Sequence, residues 1–240
     1  MGRAYQNRKE SIAKTSDAKA KVYSKYGREI YVSAKSGGPD PETNATLERL
    51  IEKARRDQVP SHVIERAIDK AKGGGGEDFA AARYEGYGPG GAMLIVECLT
   101  DNPTRTFNEV RAAFGKNGGK LGNAGSVSHM FDHCAIFAFA GDSDEAVLEA
   151  LLAADVDVTD VEVEDGKVTV FTPSAEYAKA RQALVDAFEG LTFEVDEIQF
   201  VAQDAVELSG DDAATFEKLV GAIEFCDDVQ TVYHSAQLAS

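Results

Sequence analysis

Over 17–35 the apolar residues Ala18, Val22, Tyr26, Ile30 and Ala34 recur at every fourth position, the spacing of one face of an α-helix. The SGGP that follows at 36–39 stops it, because proline cannot continue a helix and glycine ends one readily. After PDPETN, Leu47, Leu50, Ile51 and Ala54 mark a second helix. Pro60 and Ser61 open a third, with Ile64, Ala67, Ile68 and Ala71 turned inward. Four glycines, 73–76, then end the helical region and read as a hinge or linker.

Beyond the glycines strands and helices alternate. The pattern predicts a strand over 92–99, a helix over 103–116 and a strand over 126–131, one βαβ unit. Asn102 is the expected N-cap of that helix, and Phe107, Val110 and Phe114 its inward face. Next come a strand over 135–140, a helix over 143–153, strands over 158–163 and 168–171 joined by the turn EDGK, a helix over 174–188 and a strand over 193–200. That succession, β-α-β-β-α-β, is the ferredoxin-like order. A strand over 205–208, a helix over 212–225 and a strand over 229–234 close the chain as a second lone βαβ unit. Two such halves flanking a complete unit are expected to pair with each other. The predicted fold class is therefore α+β multidomain: an N-terminal helical domain followed by two ferredoxin-like α+β domains, one inserted into the other. The expected divisions are 1–76, then 77–132 plus 204–240, with 133–203 inserted.

Charge changes this picture by giving the chain a direction. Residues 1–72 hold 16 Lys and Arg against 10 Asp and Glu, whereas 73–240 hold 9 against 31, so a head of +6 precedes a body of −22. The first 35 residues carry the whole excess, 9 basic against 3 acidic. On a helical wheel Lys21, Lys25, Arg28 and Lys35 fall within an arc of roughly 80° away from Val22, Tyr26 and Ile30. With Arg3, Arg8, Lys9 and Lys14, and with Tyr5, Tyr23 and Tyr26 interleaved, this stripe is the expected phosphate-contacting surface. The acidic body would repel phosphates and so fix orientation.

Two glycine-rich stretches stand out in the body. RYEGYGPGG, 83–91, enters a strand instead of leaving one and lacks a following Gly-Lys-Ser/Thr, so it is not a phosphate loop. It reads as a tight turn that presents Arg83, Tyr84 and Tyr87 for recognition or, equally, simply shapes the chain. KNGGKLGNAGS, 116–126, carries Lys116, Lys120 and Asn123 and no acidic residue. Arg105 on the intervening helix adds to this region, where 73–126 hold 5 basic and 6 acidic residues against 4 and 25 in 127–240.

Other chemistry is sparse. Cys98, Cys134 and Cys226 are scattered, with no C-x-x-C, which suits a reducing compartment and not a disulfide framework or zinc site. His129 and His133 are four apart but fall where strand and turn are expected, without a metal-ligand set. No nucleophile motif and no carboxylate pair nominates a catalytic residue, so the chain is expected not to be an enzyme. There is no apolar run of the roughly 18 residues a membrane span needs, and no secretory leader pattern, so a cytoplasmic location is expected.

RYEGYGPGGAMLIVECLTDNPTRT and GGKLGNAGSVSHMF together resemble the signature blocks of the YebC/PmpR family, which includes the mitochondrial translational activator of cytochrome oxidase. RKESIAKTSDAKAKVYSKYGREIYVSAKSGGPDP and VPSHVIERAIDKAKGG resemble its helical head, so the likeness spans essentially the whole chain. It implies three domains, no cofactor, and one of two roles. One is a probable transcriptional regulator binding DNA. The other is a ribosome-associated factor that binds ribosomal RNA or tRNA and eases difficult sequences such as proline runs. The start Gly2-Arg3-Ala4-Tyr5-Gln6 departs from the family's usual Gly-His-Ser-Lys-Trp, and His129 stands where Trp is common, as in the YeeN-like branch. A third possibility is a protein-interaction module whose acidic body recruits basic partners. The expected state is a monomer with nucleic acid as partner and no membrane.

Overall fold

The computed structural model describes residues 16–73, 76 and 78–238. Helices α1 (Ser16–Gly37), α2 (Ala45–Arg56) and α3 (Ser61–Lys72) make up the head. Their apolar stripes meet in a core of Ile30, Tyr31, Leu47, Ile51, Ile64 and Ala67. Buried Asn44 stitches the first two together. Its Oδ1 accepts from the Leu47 N–H at 3.1 Å, capping α2, while its Nδ2 donates to Ser33 O at 3.0 Å and Gly38 O at 2.8 Å.

A first antiparallel sheet has the order β3-β1-β2-β9. Its strands are β1 (Ala80–Tyr87), β2 (Met93–Thr100), β3 (Lys120–Leu121) and β9 (Val229–His234). Helices α4 (Pro103–Lys116) and α7 (Gly210–Glu224) close one face, where Leu94, Val96 and Cys98 meet Phe114, Phe216, Leu219 and Ile223. Asn102 caps α4 as its sequence requires, accepting from Arg105 N at 3.1 Å.

The second sheet runs β5-β6-β4-β7, from β4 (Phe131–Ala140), β5 (Asp160–Glu164), β6 (Lys167–Pro173) and β7 (Phe193–Ala202). With α5 (Asp144–Ala153) and α6 (Tyr177–Ala187) this is the ferredoxin-like order, every neighbour antiparallel. On β4, Ala135, Phe137 and Phe139 face the helices, and Cys134, Ile136 and Ala138 are buried on the other side. That two-sided burial is why the strand reads as an unbroken apolar run. The two sheets meet through Ile95, Val127, Phe131, Phe200 and Tyr233.

The fold class is α+β with a helical head, but three segments differ from the sequence reading. Residues 83–87 are not a turn: all of β1 pairs with β2, from Ala80↔Thr100 to Tyr87↔Met93. Alanines and a glycine hid the alternation, yet a Cβ at Gly86 would sit 2.6 Å from Phe114 Cε1 and 2.8 Å from Lys120 O, so the strand needs glycine there. The turn proper is confined to Gly88–Ala92, closed by Gly88 N donating to Ala92 O at 2.7 Å. Within it Gly90 has φ 63° and a Cβ there would lie 2.3 Å from Leu208 Cδ2. The strand expected over 126–131 is a 3₁₀ turn, Ser128–Met130, that leads into β4. The strand expected over 205–208 is β8 (Val206–Leu208), and it pairs in parallel with β10 (Ala236–Leu238) outside the main sheet. No helix among the described residues is long and apolar enough to cross a membrane.

Candidate nucleic-acid interface

Glu85 joins the two glycine-rich stretches into one surface. It projects from β1, is 5% exposed, and its carboxylate accepts from Gly125 N at 2.9 Å, Val127 N at 2.8 Å and Ser128 N at 3.0 Å. Burial alone would raise its pKa, but these backbone N–H groups hold the carboxyl below its usual range. Because those N–H groups are taken, the segment cannot pair as a strand. Tyr87 adds a hydrogen bond from its hydroxyl to Ser126 O at 2.8 Å. Around this frame Tyr87, Lys116, Lys120 and Asn123 are exposed, with Lys120 directly across from Tyr87 in the β1–β3 register.

The remaining predicted loop residues lie apart from that surface. Tyr84 alternates to the helix-covered face, packs on Phe107, and donates to Pro103 O at 3.3 Å. Arg83 shares a face with Glu85 but pairs with Glu97 at 3.0 Å. Arg105 sits at the opposite end of α4 from Lys116, between Asp101 at 2.7 Å and Asp228 at 2.6 Å.

The basic stripe of α1 is turned into the molecule. Lys21 Nζ donates to Phe225 O and lies 3.3 Å from the centroid of the Phe225 ring. Lys25 Nζ donates to Gln230 O at 3.2 Å, and Arg28 donates to Asp227 O while standing 3.4 Å from Asp228 Oδ1. Only Lys35 remains outward among these four, bonded to exposed Asp78 at 2.6 Å. Arg3, Arg8, Lys9 and Lys14 lie outside the described residues.

Asp228 lies behind these carbonyls and meets the stripe through Arg28. It is 1% exposed, and its Oδ2 accepts from Thr100 Oγ1 at 3.0 Å, Thr106 Oγ1 at 2.6 Å and Arg105 Nη2 at 2.6 Å. Desolvation raises its pKa, but the bonds from Thr106, Arg105 and Thr100 outweigh it and leave the carboxyl low. On α1, Glu29 shifts the other way: burial pushes its pKa up, Glu197 and Glu97 add to that, and Lys53 and Lys25 oppose it. The head also grips the second sheet through Lys53–Glu197 at 2.8 Å and Arg56 donating to Phe193 O.

Sequence reasoning missed the Asp227–Asp228 acceptor and the exposed Arg55 and Arg66 of α2 and α3. The arginines were legible from the wheel: Arg55 adjoins inward Ala54 and Arg66 stands two past Ile64, each off the apolar stripe. Among the described residues no group of three His, Cys, Asp or Glu is placed to hold a metal ion.

A basic helical head fastened to two helix-backed antiparallel sheets defines a multidomain α+β protein with an exposed loop that carries lysine and no acidic residue. Comparison supplies the family. Residues 3–74 match the TACO1/YebC protein N-terminal domain and 79–236 the TACO1/YebC second and third domain, so the chain belongs to the TACO1/YebC family. It is similar to a "Probable transcriptional regulatory protein" of Marinobacter nauticus, 67% identical over 238 residues and 99% of each chain. The protein of the same description from Saccharophagus degradans is 65% identical over 237 residues, 99% of this chain and 100% of that one. A crystal structure of a conserved hypothetical protein from Aquifex aeolicus superposes with a TM-score of 0.76 at 34% identity, covering 95% of this chain and 93% of that one. The named relatives are described as probable transcriptional regulatory proteins, which supports a family of regulators.

Proposed function

We propose that this protein is a non-enzymatic cytoplasmic regulator of gene expression that acts by binding nucleic acid, with DNA as the target that its relatives' description favours. The observation that carries the reading is the loop surface: Lys116 at the end of α4, Lys120 on β3, Asn123 and Tyr87 are exposed together, beside a segment whose amides Glu85 holds. Cations on a rigid, acid-free loop suit phosphate contact, because little ordering entropy is lost on binding. The docked cations Lys21, Lys25 and Arg28 serve in this reading to position the head, and the head's outward cations extend the phosphate surface.

Binding of ribosomal RNA or tRNA on the ribosome is the second reading. It is favoured by the docking of α1 itself, because the most basic described helix has its stripe against Phe225–Gln230 instead of presenting it to a major groove. Crosslinking in cells and identification of the bound species separates the two. Recovery of discrete promoters supports the DNA reading, and recovery of ribosomal RNA overturns it in favour of the ribosomal one.

A further inference from the structure

Where the two sheets meet, three planar side chains come together. His133 on β4 and Phe200 on β7 are cross-strand partners, and their rings lie 4.4 Å apart at 12°. Arg83 reaches across from the first sheet and places its guanidinium carbon 4.4 Å from the Phe200 centroid. Phe200 is 8% exposed and is braced edge-on by Tyr233 at 5.5 Å. Arg83 and His133 are both exposed. His133 turns one ring face to Phe200, and both outer groups keep exposed surface that a further ring can cover.

Both outer groups are held in orientation. Glu97 fixes the guanidinium at 3.0 Å through Oε1, while its Oε2 lies 3.4 Å from the Tyr233 hydroxyl. Ser174 Oγ is 3.1 Å from His133 Nδ1. The cluster also carries no excess of positive charge, since Asp132 keeps its negative charge. Arg83 offsets Glu97, the neighbouring Asp132 accepts from Gln203 Nε2 at 2.9 Å, and burial together with Arg83 lowers the His133 pKa, which leaves the imidazole neutral at pH 7. Such a site is poor at attracting phosphate. It is well made for a neutral, flat group, since guanidinium and imidazole planes stack on unpaired bases.

We propose that Arg83, Phe200 and His133 form a stacking platform for an unpaired base of a single-stranded nucleic acid, separate from the lysines that contact phosphate. This rests on the nucleic-acid reading above and narrows it to a substrate with at least one unstacked base.

Fluorescence anisotropy with four labelled probes tests it: a single-stranded 12-mer RNA, its DNA equivalent, a duplex hairpin, and an abasic oligonucleotide of equal charge. Two variants, Arg83→Lys/His133→Ala and Arg83→Lys/His133→Asn, keep the positive charge, and the Asn keeps a polar group beside Ser174. Circular dichroism melts confirm that they fold. The expected result is a loss of about 5- to 150-fold on the single strands, the range one stacked base accounts for, with the salt dependence and abasic binding unchanged. The ratio of RNA to DNA affinity then tells which strand the platform prefers. Unchanged affinity for the single strands, or an equal loss on the abasic probe, overturns the platform while leaving nucleic-acid binding standing. Failure of the wild-type protein to bind any of the four overturns both.

Discussion

Glu85 on β1 and Asp228 in the turn before β9 are two buried carboxylates put to opposite uses. Asp228 gathers side chains from three elements: Arg28 of α1, Arg105 and Thr106 of α4, and Thr100 of β2. Three of these groups belong to the body, and through Arg28 the carboxylate also ties the head to it, beside the carbonyls that hold Lys21 and Lys25 inward. Glu85 gathers three backbone N–H groups from one loop and engages no cation, and the nearby Lys116 and Lys120 face out. Charged hydrogen bonds of this kind are stronger than neutral ones, so each carboxylate adds a strong local tie to the contacts around it. The lesson is that a count of cations says little about a binding surface until the buried acids that claim them are located.

Removing the fastener should have the largest effect. Asp228→Asn leaves Arg28 and Arg105 without a buried counter-charge, although both reach solvent in part, and should lower stability to urea by about 2–4 kcal/mol. A loss below about 0.5 kcal/mol would show that the head is held by its apolar contacts instead. Glu85→Gln should cost less, about 1–3 kcal/mol, and its signature is local. Hydrogen exchange at the Gly125, Val127 and Ser128 amides should quicken while the β2 core stays protected.

Acid should erase the comparison. Both carboxyls have folded-state pKa values below their unfolded ones, so their contribution is present above the unfolded values of about 3.9 and 4.3 and is lost as pH falls through the folded values. The wild-type melting temperature should therefore drop between about pH 4.5 and pH 3, and the drop should be shallower in either variant. Glu29 provides the internal contrast, since its folded pKa is raised and its stabilising contribution is lost as pH rises. Glu29→Gln should raise stability at pH 7 by no more than about 1 kcal/mol, the smallest effect of the set. A loss at pH 7 would mean that Lys53 and Lys25 outweigh its burial.

Elements with a regular rhythm were legible from sequence. The α1 stripe, the Asn102 cap and the β-α-β-β-α-β order of the second sheet follow from local spacing, which a single chain displays. What stayed hidden depended on distant partners. AAARYEGY has no alternation to betray a strand, and becomes one because β2 and β3 supply its hydrogen bonds while Phe114 requires a glycine at 86. Residues 126–130 look strand-like, but Glu85, some 40 residues earlier, captures their N–H groups. The stripe was visible as charge; its direction was not, because the carbonyls of Phe225, Asp227 and Gln230 that receive it lie roughly 200 residues away. Likewise Arg83 was a residue of interest, but nothing local links it to His133 and Phe200.

The division of labour between the two basic regions is best tested by the salt dependence of nucleic-acid affinity in three proteins: wild type, Lys116→Glu/Lys120→Glu and Lys21→Gln/Lys25→Gln. Each phosphate contact contributes about 0.7–0.9 to the slope of log affinity against log salt, for single strands and duplex respectively. The loop variant should lose about two contacts' worth of slope, and the α1 variant should keep the wild-type slope even where its stability falls. The reverse pattern, a slope that collapses with Lys21 and Lys25 and survives the loss of Lys116 and Lys120, would place the phosphates on α1 and contradict the inward role of its stripe.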